Sequence, residues 1–486
     1  MMHRKNLALE VALVICALIA AFIVQGIIAQ TKPPKMPEFG ESAKAVESID
    51  DVGFTVVTDE ELEQPLLRIP ASYDPHQSLL GEAPDWSKLD VYQHSVSREN
   101  FLKLLEDVYT IGDDWQQWFD VGEDHVSIRM SGEDAEKIYK LAFQKEPGEE
   151  RVTRFWRNKS ELQERTFDRP LAGIRIAIDP GHIGGSFAHV EERRFVLTDG
   201  SPPIQEGNMT LTVASILVEQ LEVLGASVSL LRDTNEPVNP FRVEDYFEYA
   251  KAKLKSQNGS ITKEAIRREA AKLFYRNGEI RARSILVNHE IKPDLVLCLH
   301  FNASAQINPQ NPTLDEHEHF HMILNGGYTT SEIAHDDERF QMVLKLLQGV
   351  HAEEAELSKF AAASFVDETE LEPYHYSPNS SRAVNVDGNP YLWARNLLAN
   401  RLYSCPVVYF EPYLQNGKDS YTRMQIGEYQ GLRYVNGKVR ESIYREYVNA
   451  VTKGLVAYYT HVDPEPVLEP ETVPSLLDLL KHSLEQ

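Results

Sequence analysis

The sequence predicts an α/β fold: an open, mostly parallel sheet flanked by helices, with a small α+β domain on its N-terminal side. Three runs carry this prediction. Residues 174–179 form a short apolar strand that breaks at Pro180-Gly181 and delivers His182 at its C-terminal end. Residues 295–299, opened by Pro293-Asp294, end in His300 and run on into Phe301-Asn302-Ala303. Residues 407–410, opened by Pro406, end in Glu411. Ligands in open α/β sheets sit just beyond the carboxyl ends of parallel strands, so three such ends can converge on one crevice. Two histidines and a carboxylate meeting there point to a zinc hydrolase.

A fourth group completes the constellation. Glu206 lies between the Pro-rich turn Ser201-Pro202-Pro203 and an amphipathic helix. In that helix Leu211, Ala214, Leu217, Val218, Leu221 and Leu224 recur at helical spacing, and Gly225 is a natural stop. The loop from Ser186 to Ile204 is long and charged and offers Glu191 and Glu192 as rival ligands. Glu206 is preferred because the helix begins directly after it. His182, Glu206 and His300 then form a ligand set for one zinc ion, with one position left open for water.

With these motifs the chain resembles the zinc-dependent N-acetylmuramoyl-L-alanine amidases of the Asp-Pro-Gly-His type. Supporting matches are Glu206-Gly207-Asn208-Met209-Thr210-Leu211, the strand ending Leu231-Arg232-Asp233-Thr234, Arg283 five residues before Asn288, and Asn416 after Glu411. The resemblance covers roughly residues 170 to 460. It implies that His182, Glu206 and His300 bind zinc and that Glu411 is the catalytic acid/base. Arg283 and Asn302 enter as candidate substrate contacts, with a structural role as the alternative for Arg283. Two features depart from the family pattern. Ile183 is inserted before the Gly184-Gly185 pair, and Pro412-Tyr413 follows Glu411 in place of a Gly-Phe pair.

The implied reaction is hydrolysis of the amide between N-acetylmuramic acid and L-alanine in peptidoglycan. Zinc with three protein ligands lowers the pKa of bound water to about 7 and polarises a carbonyl. A carboxylate such as Glu411 can take the water proton and pass it to the leaving amine. The alternatives are another zinc amidohydrolase or peptidase on the same fold, or a weakly catalytic wall-binding protein. Peptidoglycan is the implied partner, and an activating protein partner fits the same resemblance.

Two other clusters have competing readings. His317, His319 and His321 alternate on one strand face, which suits either a second metal or the lining of a cleft. Cys298 and Cys405 lie in or near core strands, as small buried hydrophobes or as a bridged pair.

The chain has 486 residues, with 42% hydrophobic and 25% charged residues, and so is long enough for more than one domain. A formal charge of −25 excludes a nucleic-acid binder, which needs basic patches, and suits a soluble exported protein. His3, Arg4 and Lys5 precede a mostly apolar run over residues 6–29, marred by Glu10 and Gln25. Residues 1–30 therefore read as a signal peptide or a membrane anchor, placing the chain in the periplasm or cell envelope. Residues 31–95, rich in Pro and acidic groups, read as a linker or arm. Residues 96–165 read as a small α+β auxiliary domain whose helix starts at Phe101-Leu102 and whose strand runs over Val126–Met130.

The catalytic region spans 170–462, with insertions at about 240–280 and 305–395. The first is charged and helical in pattern. The second holds the histidine strand, a helix around residues 338–357 and a Gly/Pro/Asn-rich loop, and its helix is expected to gate the site. An acidic, Pro-rich tail with a short leucine-rich helix fills 463–486.

Overall fold

The computed structural model describes residues 67–145, 153–162, 166–198, 200–303, 313–377 and 382–461. The expected leader and the tail lie outside these residues. No helix among the described residues is long and apolar enough to cross a membrane.

The N-terminal part is ordered by packing and buried hydrogen bonds. Residues 67–95, expected as a loose arm, are pinned by two aspartates: Asp337 accepts from both the backbone nitrogen and the hydroxyl of Ser78, and Asp336 accepts from Gln77. Helix α1 (Arg98–Leu104) starts at Ser97, whose hydroxyl caps Asn100 N. An antiparallel meander follows: β1 (Phe119–Val121), β2 (His125–Arg129) and β3 (Ile138–Ala142). Its buried residues Phe119, Val126, Ile128 and Leu141 belong to the same apolar cluster as the main sheet. The described residues of 96–165 thus share one core with the main sheet.

The main sheet begins with β4 (Arg175–Pro180). After the short hairpin β5 (Arg194–Phe195) and β6 (Ile204–Gln205), helix α2 (Glu206–Val223) leads to β7 (Ser227–Leu230). Helix α3 (Phe247–Ser256) and helix α4 (Lys263–Lys272) follow. Helix α4 continues through a π turn into α5 (Glu279–Ile285), then through a second π turn to Ile291. Strand β8 (Leu295–Leu299) is wholly buried, the pattern of a central strand covered on both faces.

The expected insertion at 305–395 extends the sheet instead of merely bordering it. It supplies β9 (His319–Leu324), α6 (Asp336–Leu347), α7 (Val350–Thr369), β10 (Glu372–Pro373), β11 (Val384–Asn385) and β12 (Leu392–Ala394). After α8 (Leu398–Leu402), β13 (Val407–Pro412) returns to the centre, and α9 (Lys418–Ile426) and α10 (Ile443–Thr460) follow. Strand order is β11-β12-β9-β13-β8-β4-β7, with β10 beside β9. Pairing is parallel except at β13–β9 and β11–β12.

The helix expected around 338–357 is two helices, broken where Gly349 adopts φ +67°. Neither one contributes a residue to the lining of the cavity that holds His182, Glu206 and His300. Phe365 of α7 stacks on Phe320 at 4.4 Å and sits 5.9 Å from Phe410. Phe320 and Phe410 alternate with His321 and Glu411, so α7 covers the sheet face opposite Glu411. On its other side α7 meets α10 so closely that a Cβ on Gly454 would crowd Ala361. Buried Glu354 accepts from Val407 N at 2.9 Å and Asn325 N at 3.3 Å, which ties α7 to β13 and β9.

Candidate metal centre

Three strand ends bring the site together. Strand β4 stops at Pro180-Gly181 and hands over to His182, which sits at φ +61°. Such a left-handed conformation costs a non-glycine residue energy and needs outside support. Arg283 on α5 gives it. Its Nη2 donates to the His182 carbonyl at 2.9 Å, and Nη1 donates to Pro180 O at 3.0 Å and to Asp179 Oδ1 at 2.6 Å. Its Nε donates to Glu279 Oε1 at 2.8 Å. Arg232, just after β7, adds bonds from Nε to Pro180 O and from Nη2 to Gly207 O at 3.2 and 2.8 Å. The loop after β4 is therefore clamped to the start of α2.

Glu206 is the first residue of α2, at the end of the β5–β6 hairpin. Its Oε2 lies 3.2 Å from His182 Nε2, and its Oε1 lies 3.1 Å from His300 Nδ1. His300, one residue past β8, stacks on Tyr409 with ring centroids 4.6 Å apart and planes 10° apart. Gly181 is obligatory there, because a Cβ would overlap the His300 ring. One ligand atom each from His182, Glu206 and His300 falls within 4.8 Å of the others.

These donors fit a zinc ion. Two imidazoles and one carboxylate are the donor set of zinc sites with three protein ligands. The electrostatics agree. Burial alone would lower the His182 pKa, yet the Glu206 and Glu191 carboxylates raise it to about 9. Glu206 is itself 3% exposed, and despite that burial the two histidines hold it well below the usual carboxylate range. Such a negative well suits a cation.

The rival ligands separate cleanly. Glu191 is 1% exposed; it accepts from Ile183 N at 2.9 Å and Gly184 N at 3.0 Å, and its Oε1 lies 3.4 Å from His182 Nδ1. It orients His182 from behind, as carboxylates commonly do for metal-binding histidines. Glu192 is not in the cluster. The inserted Ile183 is buried with Tyr246, Tyr249 and Phe274, so the extra residue anchors the loop to the helical insertion.

Glu411 lines the same cavity, of about 480 Å³, as His182, Glu206 and His300. Burial raises its pKa to about 7; the His300 side pulls it down and Glu206 pushes it up. Asn302 also lines the cavity, but its Nδ2 is 3.1 Å from His319 Nε2 and its Oδ1 accepts from Ala303 N. Arg283, expected as a candidate substrate contact, is 1% exposed, and its bonds to protein acceptors make it a positioning residue. Asn416 is buried and donates to Thr313 O at 3.0 Å.

Sequence reasoning missed Gln415. Its Nε2 donates to Glu206 Oε2 at 2.9 Å and to Phe301 O at 2.6 Å, fixing the carboxylate. The missed Arg193 stands 3.5 Å from Glu206 Oε2. Its signal in the sequence is its place in the charged loop from Ser186 to Ile204, next to Glu191 and Glu192. His317, His319 and His321 do not form a metal cluster: the three-ligand group at His182, Glu206 and His300 is the one found among the described residues. His317 is exposed beside Asp315 and precedes the strand. Cys298 and Cys405 are buried and free, not bridged.

No protein-family model matches the chain, and no curated protein matches it. Among solved structures, the chain is similar to the N-acetylmuramyl-L-alanine amidase Ami1 from Mycobacterium abscessus. That match has 16% identity and a TM-score of 0.33, and covers 59% of this chain and 99% of the other. It is similar to Ami1 from Mycobacterium smegmatis at 13% identity and a TM-score of 0.32, covering 60% and 98%. The CwlD amidase of Clostridioides difficile, solved in complex with the GerS lipoprotein, matches at 15% identity and a TM-score of 0.32, covering 59% and 98%.

Proposed function

We propose that this chain is a zinc-dependent N-acetylmuramoyl-L-alanine amidase, cleaving the amide between N-acetylmuramic acid and L-alanine of the peptidoglycan stem. One observation carries the reading: His182, Glu206 and His300 converge within metal-binding distance in the cavity that Glu411 also lines. Glu206 and the two histidines would hold one zinc ion. Zinc supplies acidification of water and polarisation of the amide carbonyl when bound.

The chain's own groups do the rest. Glu411 accepts the proton of the attacking water as the oxygen adds to the carbonyl carbon. It then donates that proton to the alanine nitrogen as the C–N bond breaks. A pKa near the operating pH suits a group that must both take and give a proton. Tyr409, Gln415 and Glu191 keep His300, Glu206 and His182 in place so that little reorganisation is needed. The proposed substrate lies in the cell wall, so the chain would act after export, with residues 1–30 as signal or anchor.

The test is digestion of purified peptidoglycan by the full-length chain with zinc, beside Glu411→Gln, with products read by mass spectrometry. Release of stem peptides with a free N-terminal alanine, by the unaltered chain alone, is the expected result. Cleavage at another bond would replace the amidase reading with a different zinc hydrolase. No cleavage would remove it.

A further inference from the structure

The sheet face that carries Glu411 continues past the metal centre. Register sets His321 opposite Glu411 and Ile323 opposite Tyr409, and places Trp393 beside Ile323. Side chains opposite one another in register share a face, and neighbouring strands lie about 4.8 Å apart. Trp393 on β12 therefore stands about 10 Å across the sheet from β13, two strand spacings.

Aromatic rings fill this interval. Tyr374 packs on His319 at 4.7 Å and on His321 at 4.8 Å. Tyr376 meets His321 edge-on at 5.7 Å, and Tyr374 and Trp393 both at 4.9 Å. Tyr374, Tyr376 and Trp393 are half-buried, so each still shows part of its ring to solvent. Burial lowers the pKa of His319 to about 4 and of His321 to about 3, which leaves both imidazoles neutral at pH 7. The result is an aromatic shelf with neutral imidazoles, edged by the Arg395 guanidinium that bonds Tyr376, reaching the cavity at Ile323 and Arg395. The cavity also has a basic element, with Arg193 and Arg276 among its lining residues.

We propose that the shelf formed by Trp393, Tyr376, Tyr374 and the two histidines is a glycan subsite, which seats the N-acetylated sugar rings flanking the scissile amide. This rests on the amidase reading above. The scissile bond joins two chemically distinct halves. The sugar half is uncharged, with flat C–H faces that suit aromatic rings and N-acetyl groups that suit polar edges such as Asn302 and His319. The peptide half carries carboxylates, which match Arg193 and Arg276 instead. The packed ring faces thus assign the glycan to the shelf, and continuity with Glu411 places it beside the reacting bond.

The experiment is calorimetric titration of the full-length chain with two probes that need no turnover. One is the uncharged β-1,4-linked tetrasaccharide of N-acetylglucosamine; the other is a sugar-free stem tetrapeptide. Trp393→Ala and Tyr376→Ala are each expected to weaken tetrasaccharide binding about tenfold, the worth of a good ring contact. Trp393→Phe should keep most of it, and none of the three should change peptide binding. Circular dichroism checks folding, and Trp393→Phe with Tyr376→Ala carries the test if Trp393→Ala unfolds.

Tetrasaccharide affinity unchanged by these substitutions, absent in the unaltered chain, or lost together with peptide affinity would overturn the subsite. Glycan binding through Trp393 by a chain that releases no stem peptide would leave the subsite standing and remove the amidase reading. Amidase activity without this binding would do the reverse.

Discussion

Arg283 Nη2 donates to the carbonyl oxygen of His182 at 2.9 Å while Nη1 bonds Asp179 at 2.6 Å, so one buried guanidinium holds a candidate zinc ligand in a left-handed backbone conformation. A lysine cannot reproduce this fork. Arg283→Lys is expected to weaken zinc binding about 10–100-fold, as loss of an outer positioning group does. Arg283→Met should go further, because Asp179 and Glu279 would be left buried without their cation, at a cost of about 3–5 kcal/mol. Chelator competition and denaturant unfolding measure the two effects. Unaltered zinc affinity in Arg283→Lys would assign the arginine a purely distant structural role.

Glu191 and Glu206 should respond differently. Glu191→Ala removes the carboxylate beside His182 Nδ1 and the acceptor for Ile183 N and Gly184 N. It is expected to cost about 10–100-fold in zinc affinity with the metal still bound at saturation. Glu206→Ala should abolish stoichiometric binding. If Glu191→Ala were the variant that lost zinc completely, the two roles would be exchanged.

The pH dependence follows from Glu411, whose pKa burial raises to about 7 in the metal-free chain. As a base it works ionised, so kcat/KM should rise with pH along an acid limb. Bound zinc adds positive charge and moves that limb to pH 7 or below. Stability runs the other way in the metal-free protein. A carboxyl whose folded pKa lies above its unfolded value binds more protons when folded; its contribution is complete below about pH 4.5 and lost as pH rises through 7. Glu411→Gln should therefore be inactive yet at least as stable as the parent at pH 8 without metal, with the advantage gone near pH 5. Thermal unfolding at both pH values, with EDTA present, reads this. A Glu411→Gln variant less stable at pH 8 than at pH 5, relative to the parent, would contradict it.

Gly207 packs its Cα against the loop after His182, and a Cβ there would overlap the backbone nitrogen of Gly184. Backbone cannot step aside as a side-chain tip can. Gly207→Ala should destabilise the chain by about 1–3 kcal/mol, the usual cost of overpacking, and lower zinc occupancy as the loop shifts. Unfolding curves and zinc content check it. A variant of parental stability and occupancy would show that the loop adjusts freely.

Much of the site was legible because its parts are local. An apolar run that stops at Pro-Gly-His, or one that opens after Pro-Asp or Pro and ends in His or Glu, announces a strand end, and Glu206 was readable from the helix that starts on it. Of the supporting groups, Arg283 was legible only as a substrate contact or a structural residue and Gln415 not at all, because their partners are distant in sequence. Arg283 bonds Asp179 across 104 residues, and Gln415 bonds Glu206 across 209. Gln415 looks like an ordinary polar residue until the sheet closes.

The histidine strand was seen as a strand. Its place between β13, to which it runs antiparallel, and β12, to which it runs parallel, depends on long-range pairing that periodicity does not encode. The single helix expected around 338–357 divides for a local reason: Gly349 breaks it, and the alternation of Phe320 and Phe410 with His321 and Glu411 assigns α7 to the far face.

The measurement that bears most directly on the account is zinc K-edge X-ray absorption on the full-length chain loaded with one equivalent of metal. The expected result is a four-coordinate site of nitrogen and oxygen at about 2.0–2.1 Å, with the scattering of two imidazoles, that disappears in Glu206→Ala. A sulfur shell at about 2.3 Å, or a spectrum unchanged by Glu206→Ala, would place the metal elsewhere and contradict the assignment.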